Sequence, residues 1–130
     1  MNSKLRDEKV DVTLPIRTQK NGKIHESLYA IQQSVQLSPQ DPKEHYSLGV
    51  TLQKLERFKE AQASFTKAIA LKPDYYKASF KLGKMLLVLK KFEEAEAYYR
   101  RVIKFKPDHY QAYFELGMIL QELRLSLIHI

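Results

Sequence analysis

The chain of 130 residues contains no cysteine and no tryptophan, and it has only four glycines and five prolines. Without cysteine it can form neither a disulfide nor a thiolate metal site, and it has no thiol nucleophile. It also lacks a run of about 18 apolar residues, the length that a membrane span requires. The charged amino terminus lacks the apolar core of a secretory signal. These absences favour a soluble, cytoplasmic chain that forms one domain or part of one.

The sequence also lacks the motifs of common active sites. It has no glycine loop that could hold a phosphate and no GxSxG nucleophile turn. The four histidines are widely separated and have no ligand spacing: His25, His45, His109 and His129. We therefore expect no catalytic residue, no metal site and no cofactor.

Charge is unevenly distributed. The formal net charge is +7, and residues 77–106 alone carry nine lysines and arginines against three glutamates. Such a field attracts an acidic partner and weakens with salt. The alternative is an ordinary solvated helix surface rich in lysine. Nucleic-acid binding is less favoured, because no base-reading motif accompanies the charge.

The chain does contain a repeat of 34 residues. Leu-Gly pairs recur at this spacing, as do leucines four residues after each first leucine, and a proline closes each unit at Pro39, Pro73 and Pro107. A fixed period in this range is typical of a stack of identical supersecondary units. It directs the search for function from a catalytic pocket to a surface.

Each unit is predicted to contain two helices. Apolar residues in 42–55 recur at helical spacing, with Asp41 as N-cap and Pro42 at the first helical position. A second helix is predicted from Phe58 to Leu71 and is stopped by Pro73. The pattern returns in residues 76–89, 92–105 and 110–123.

The repeated glycine requires a packing explanation, because glycine inside a helix costs roughly 1 kcal/mol relative to alanine. We expect Gly49 and Gly83 to face Ala61 and Ala95, so that the two helices of a unit approach closely. The substitution Gly83→Leu should then force the pair apart and unfold the array.

These residues resemble the tetratricopeptide repeat. The departures from its pattern are His45 and Ser79, where the family favours a large aromatic residue, and Val102, where it favours alanine. The resemblance covers about residues 22–124 and implies an all-α, right-handed solenoid of helix pairs that acts in protein interaction. The signature positions are Leu48, Gly49, Ala61, Phe65, Ala68, Pro73, Leu82, Gly83, Ala95, Tyr99, Pro107, Leu116 and Gly117.

The two ends depart from the repeat. Pro15 falls on a glycine position inside an expected helix, so residues 1–21 are predicted to be irregular or disordered. Residues 22–41 are then the second helix of a partial repeat, 42–75 and 76–109 are complete repeats, and 110–124 is the first helix of a truncated repeat. Residues 125–130 lose the register and also back-translate into a transposon end used in sequencing libraries. We expect this segment to be a non-native tail; the alternative is a genuine apolar tail that covers the last helix.

The resemblance also implies where a ligand would bind, because the first helices of such repeats line a concave groove. Tyr46, Phe80 and Phe114 recur there at the repeat spacing, and they either line the groove or pack between adjacent first helices. The predicted groove residues are Lys43, Tyr46, Val50, Gln53, Lys77, Phe80, Lys81, Lys84, Gln111, Phe114 and Met118.

Two specialised groove types of the family do not fit this chain. The carboxylate clamp of chaperone-binding members would need lysine and asparagine where Tyr46 and Val50 stand. The asparagine ladder of O-linked N-acetylglucosamine transferases would need asparagine at Val50, Lys84 and Met118.

The predicted function is therefore a non-enzymatic interaction module that binds a peptide or partner helix, acidic with spaced apolar residues. One alternative is the targeting arm of a larger enzyme, such as a glycosyltransferase similar to the O-GlcNAc transferases. A weaker alternative is binding of RNA or an anionic surface through the basic second repeat. Self-association through the uncapped C-terminal end is a further expectation.

Overall fold

The computed structural model describes residues 16–128, and the side chains of 22–125 and 127 within them. These residues form six helices and no strand, which confirms the all-α solenoid expected from the repeat. Within this range no helix is long and apolar enough to cross a membrane. The helices are α1 (Ile16–Leu37), α2 (Pro42–Lys54), α3 (Phe58–Leu71), α4 (Tyr76–Val88), α5 (Phe92–Phe105) and α6 (Tyr110–Ile128).

Each helix makes its main contacts with the helix before and the helix after it in the chain. The helices α2 and α3 form one antiparallel pair, and α4 and α5 form the next, while α1 and α6 flank the two pairs. The buried apolar side chains accordingly divide into two clusters along the stack. One is centred on the α2–α3 pair and reaches into α4, and the other joins α4, α5 and α6.

The turns repeat as regularly as the helices. Asp41 caps α2 by accepting a hydrogen bond from the backbone N–H of Lys43 at 2.9 Å, as the sequence predicts. Between the helices of each pair, Glu56 and Lys90 adopt the left-handed conformation, each with a φ of 61°. Neither residue is glycine, so packing of the two helices must hold these turns against their intrinsic preference.

The ends of the described chain differ from the predicted boundaries. Helix α1 begins at Ile16, so the expected irregular structure is wrong for residues 16–21; residues 1–15 lie outside the described part. Pro15 precedes the helix rather than interrupting it, and no proline or cap follows before Leu37 to delay its start.

At the other end, α6 continues through Arg124 to Ile128 instead of turning. The equivalent residues Glu56 and Lys90 have positive φ, whereas Arg124 is helical. Phe58 and Phe92, which begin the returning helices, are replaced by Ser126, so the sequence supplies no returning helix that would hold the turn. Whether residues 125–130 are native remains a prediction.

The repeated glycines face aromatic rings rather than the predicted alanines. A Cβ added at Gly49 would lie 2.7 Å from the ring of Phe65, and one at Gly83 would lie 3.0 Å from the ring of Tyr99. Both rings are fully buried and stand one helical turn beyond Ala61 and Ala95. A Cβ at Gly117 would meet nothing within 4 Å. The close approach is therefore a contact between ring and glycine, made twice.

Leucine substitutions at equivalent glycines should have opposite consequences. In Gly49→Leu the side chain collides with the buried ring of Phe65, and we expect a loss of about 3 kcal/mol in the free energy of unfolding. Gly117→Leu meets open space, and the better helix propensity of leucine should leave stability unchanged or raise it by about 0.5 kcal/mol. Urea unfolding of dilute protein measures both. Equal losses in the two variants would contradict the ring contact.

The fourth residue of each first helix shows how the repeat accommodates its departures. His45 is buried, and its Nε2 lies 2.8 Å from the carbonyl oxygen of Pro39, which ties α2 to the preceding turn. Ser79, at the equivalent position in α4, is 1% exposed, and its hydroxyl has no hydrogen-bond partner among the described residues. A buried hydroxyl without a partner lowers stability.

Replacing Ser79 with alanine should therefore stabilise the protein. The variant removes the unsatisfied hydroxyl and improves helix propensity, and we expect a gain of about 1 kcal/mol in the free energy of unfolding. Thermal unfolding followed by circular dichroism measures the change. Ser47→Ala, at an exposed position of α2, controls for propensity alone. A Ser79→Ala variant less stable than the parent would show that the hydroxyl has a partner.

Candidate functional site

Two of the three repeat-spaced aromatic residues belong to a ring network that recurs in each pair. The ring centroid of Tyr46 lies 5.7 Å from that of Phe65 and 5.2 Å from that of Tyr75. Phe80, 34 residues later, lies 5.7 Å from Tyr99 and 4.6 Å from His109. Tyr46 and Phe80 thus contact a ring of the second helix and a ring at the start of the next first helix. They remain half-buried, so one part of each ring still faces solvent.

Phe114, the third aromatic residue of the series, is different. It is 67% exposed, because α6 has no returning helix to supply the ring that Phe65 and Tyr99 supply earlier. The expected ladder of three equivalent rings therefore has two packed members and one open member.

A cleft of about 620 Å³ opens beside the first of these rings, between the beginnings of α2 and α4. Its floor is aromatic, and three lysines surround it against one carboxylate, Asp74. The C-terminal end of α5 closes one side. The lining residues are Lys43, Tyr46, Ser47, Lys72, Asp74, Tyr75, Tyr76, Lys77 and Phe105.

The structure brings only part of the predicted groove set to this cleft, namely Lys43, Tyr46 and Lys77. Four others lie elsewhere on α2 and α4: Val50, Gln53 and Lys81 are half-buried, and Lys84 is exposed. The ammonium group of Lys84 stands 5.4 Å from the centre of the Phe80 ring, as in a cation–π contact. The remaining three, Gln111, Phe114 and Met118, are exposed on α6.

The sequence analysis missed the contribution of the turn between α3 and α4. Lys72 and Tyr75 lie on either side of Pro73, which we had interpreted only as a helix stop. The Lys72 ammonium stands 5.5 Å from the centre of the Tyr75 ring. Burial raises the pKa of the Tyr46 and Tyr75 hydroxyls, so both remain neutral donors. A signal was available, since the Lys-Pro-Asp turn recurs 34 residues later at 106–108.

The far end of the surface has the opposite charge. The Tyr99 hydroxyl donates a hydrogen bond to the Glu115 carboxylate of α6. Burial, and secondly this carboxylate, raise the pKa of Tyr99 far above its ordinary value. A carboxylate held here, with Gln111 one turn earlier, supplies no cation for an anionic ligand on α6.

The described residues contain no group of three or more histidines, aspartates or glutamates placed to hold a metal ion. The chemistry that they offer is that of binding, through rings, ammonium groups and hydroxyls.

The comparisons with solved structures agree on the fold. One match is the first tetratricopeptide domain of Spaghetti (RPAP3) bound to the HSP90 peptide SRMEEVD, with 30% identity, a TM-score of 0.73 and coverage of 81% of this chain and 83% of that chain. The first such domain of human RPAP3 has 28% identity, a TM-score of 0.72, and 85% and 87% coverage. MamA, at 24% identity and a TM-score of 0.74, shows the fold alone; 82% of this chain spans 62% of that one.

The comparison with curated proteins found no match. The family model described as tetratricopeptide repeat matches residues 46–109 and again 91–124, and therefore more than half of the chain. The matched segments contain both ring contacts on glycine and the turns that join the helix pairs. The chain belongs to the tetratricopeptide repeat family.

Proposed function

We propose that this chain is a non-enzymatic adaptor module that binds an acidic peptide with spaced apolar residues in a concave groove formed by α2, α4 and α6. The observation that carries the proposal is the cleft between α2 and α4, where rings and lysines meet. Its place in the cytoplasm belongs to the same proposal.

The charge of the cleft favours an acidic ligand. Lys43 and Lys77 are exposed, and neither forms an ion pair with another described residue. Together with Lys72 they outnumber the single carboxylate of Asp74. Their charges remain available to a ligand, and they should raise its association rate more than its final affinity.

The apolar part of the affinity would come from the rings. Tyr46 and Tyr75 present half-buried faces that lose no conformational freedom when a ligand covers them, because they already pack together. An aliphatic or aromatic side chain of a peptide fits such a floor, while neighbouring acidic residues reach the lysines.

The RPAP3 domain bound to SRMEEVD supports this ligand class, since three of the seven residues of that peptide are acidic. The second tetratricopeptide domain of human RPAP3, at 25% identity, is described in complex with the HSP70 peptide SGPTIEEVD. Our chain has Tyr46 and Val50 at the clamp positions, and we therefore propose recognition of acidic side chains rather than of a terminal carboxylate.

Selection of peptides from a random displayed library tests the proposal. We expect the enriched peptides to combine acidic and apolar residues, and their affinity to fall at least about tenfold in Lys43→Ala/Lys77→Ala, since two charged contacts are lost. Lys90→Ala/Lys91→Ala is the matched control, because it removes the same charge at an exposed turn outside the cleft. Titrations of both variants with an enriched peptide at two salt concentrations measure the effect.

Equal weakening by the two double variants would show that net charge, not the cleft, attracts the ligand. Enrichment of basic peptides, or of none, would contradict the proposal. Binding of single-stranded RNA with steep salt dependence and no peptide preference would favour the nucleic-acid alternative instead.

A further inference from the structure

The face of α6 that corresponds to the paired faces of α2 and α4 is exposed. We define the α6 stripe as Tyr113, Phe114, Gly117 and Leu120. Leu52 and Leu86 are 3% and 2% exposed beneath α3 and α5, whereas Leu120 is 39% exposed. Tyr113 is 49% exposed, although His45 and Ser79 at the same repeat position are buried. The stripe is thus built like a helix–helix interface.

Gly117 gives the stripe its shape. At Gly49 and Gly83 the missing side chain makes room for a ring, but nothing lies within 4 Å of the position of a Cβ at Gly117. A glycine between exposed aromatic and aliphatic side chains leaves a notch into which another helix can pack closely. Helix propensity alone disfavours glycine here.

We propose that the α6 stripe binds the α6 stripe of a second copy of this chain, with the two helices antiparallel and crossing at Gly117. In that arrangement a residue three positions before Gly117 lies opposite the residue three positions after it in the partner. Phe114 then covers the partner's Leu120, and Leu120 is covered by the partner's Phe114. Each copy supplies the aromatic ring that the other one lacks.

The second copy is the occupant that the charges favour. Seven positions from Gly117 on either side stand Tyr110 and Arg124, both exposed. The same antiparallel register brings Tyr110 opposite the partner's Arg124, where a guanidinium can stack on the ring. These pairs form twice around one two-fold axis, the commonest symmetry of protein dimers. A patch that complements itself in size, shape and charge requires no other partner.

This proposal goes beyond the peptide site and does not depend on it. The cleft lies between α2 and α4, and none of its lining residues belongs to α6. Dimerisation would leave the cleft of each copy open and give the assembly two of them, which increases the avidity for a partner with repeated motifs.

A single introduced cysteine tests the register, since the chain contains none of its own. In Gly117→Cys the two sulfurs would lie across the two-fold axis, and mild oxidation should give a covalent dimer. Gly22→Cys is the matched control, because Gly22 is also an exposed helical glycine with nothing within 4 Å of its Cβ position. We expect the first variant to cross-link much faster than the second, as measured by non-reducing electrophoresis.

Sedimentation velocity of the unmodified chain should show a dimer that dissociates on dilution. Phe114→Glu should shift this equilibrium to the monomer, whereas Tyr29→Glu, at an equally exposed ring on α1, should not. Circular dichroism checks that both variants remain helical. A chain that stays monomeric at every concentration overturns the proposal. A dimer that cross-links no faster through Gly117→Cys than through Gly22→Cys overturns it as well, because it must form through another surface.

Discussion

The contact between an aromatic ring and a glycine holds the repeat together. Phe65 lies on Gly49 and Tyr99 lies on Gly83, and each ring is completely buried. Because the ring occupies the space of a missing side chain, it fixes the distance between the helices of a pair and their rotation. The same ring then contacts Tyr46 or Phe80, and through it the residue that starts the next first helix. The geometry of one pair is thus transmitted to the next.

Most of the fold could be predicted because it is written in spacing. The period of 34 residues, the prolines and the Asp41 cap give four of the six helices to within a residue. Spacing identifies the face of a helix but not which side chain of the opposite face lies over a given point, so the alanines were taken for the partners of the glycines. The two ends were misjudged for a related reason. Neither Pro15 nor Arg124 has a neighbouring repeat to define its role, and helical propensity decided there.

The candidate site could be predicted only in part. Lys43, Tyr46 and Lys77 line one cleft, and they were proposed because they occupy groove positions in similar repeats. Lys72 and Tyr75 come from a turn, and a periodic pattern of helices carries no information about where the side chains of a turn point. The open face of α6 was foreseen as an uncapped end. Its agreement with the buried faces of α2 and α4, position by position, required the structure.

The order of contacts along the stack has a kinetic consequence. Since each helix packs mainly on its sequence neighbours, nearly every tertiary contact closes a short loop, and topologies of this kind fold quickly. Opening can likewise proceed one helix at a time from either end, without breaking the ring contacts of both pairs together. Amide hydrogens should therefore exchange earliest in α1 and α6 and latest in the helices that the two rings join. The molecule behaves less like a single cooperative globule than like a short zipper with two fastened teeth.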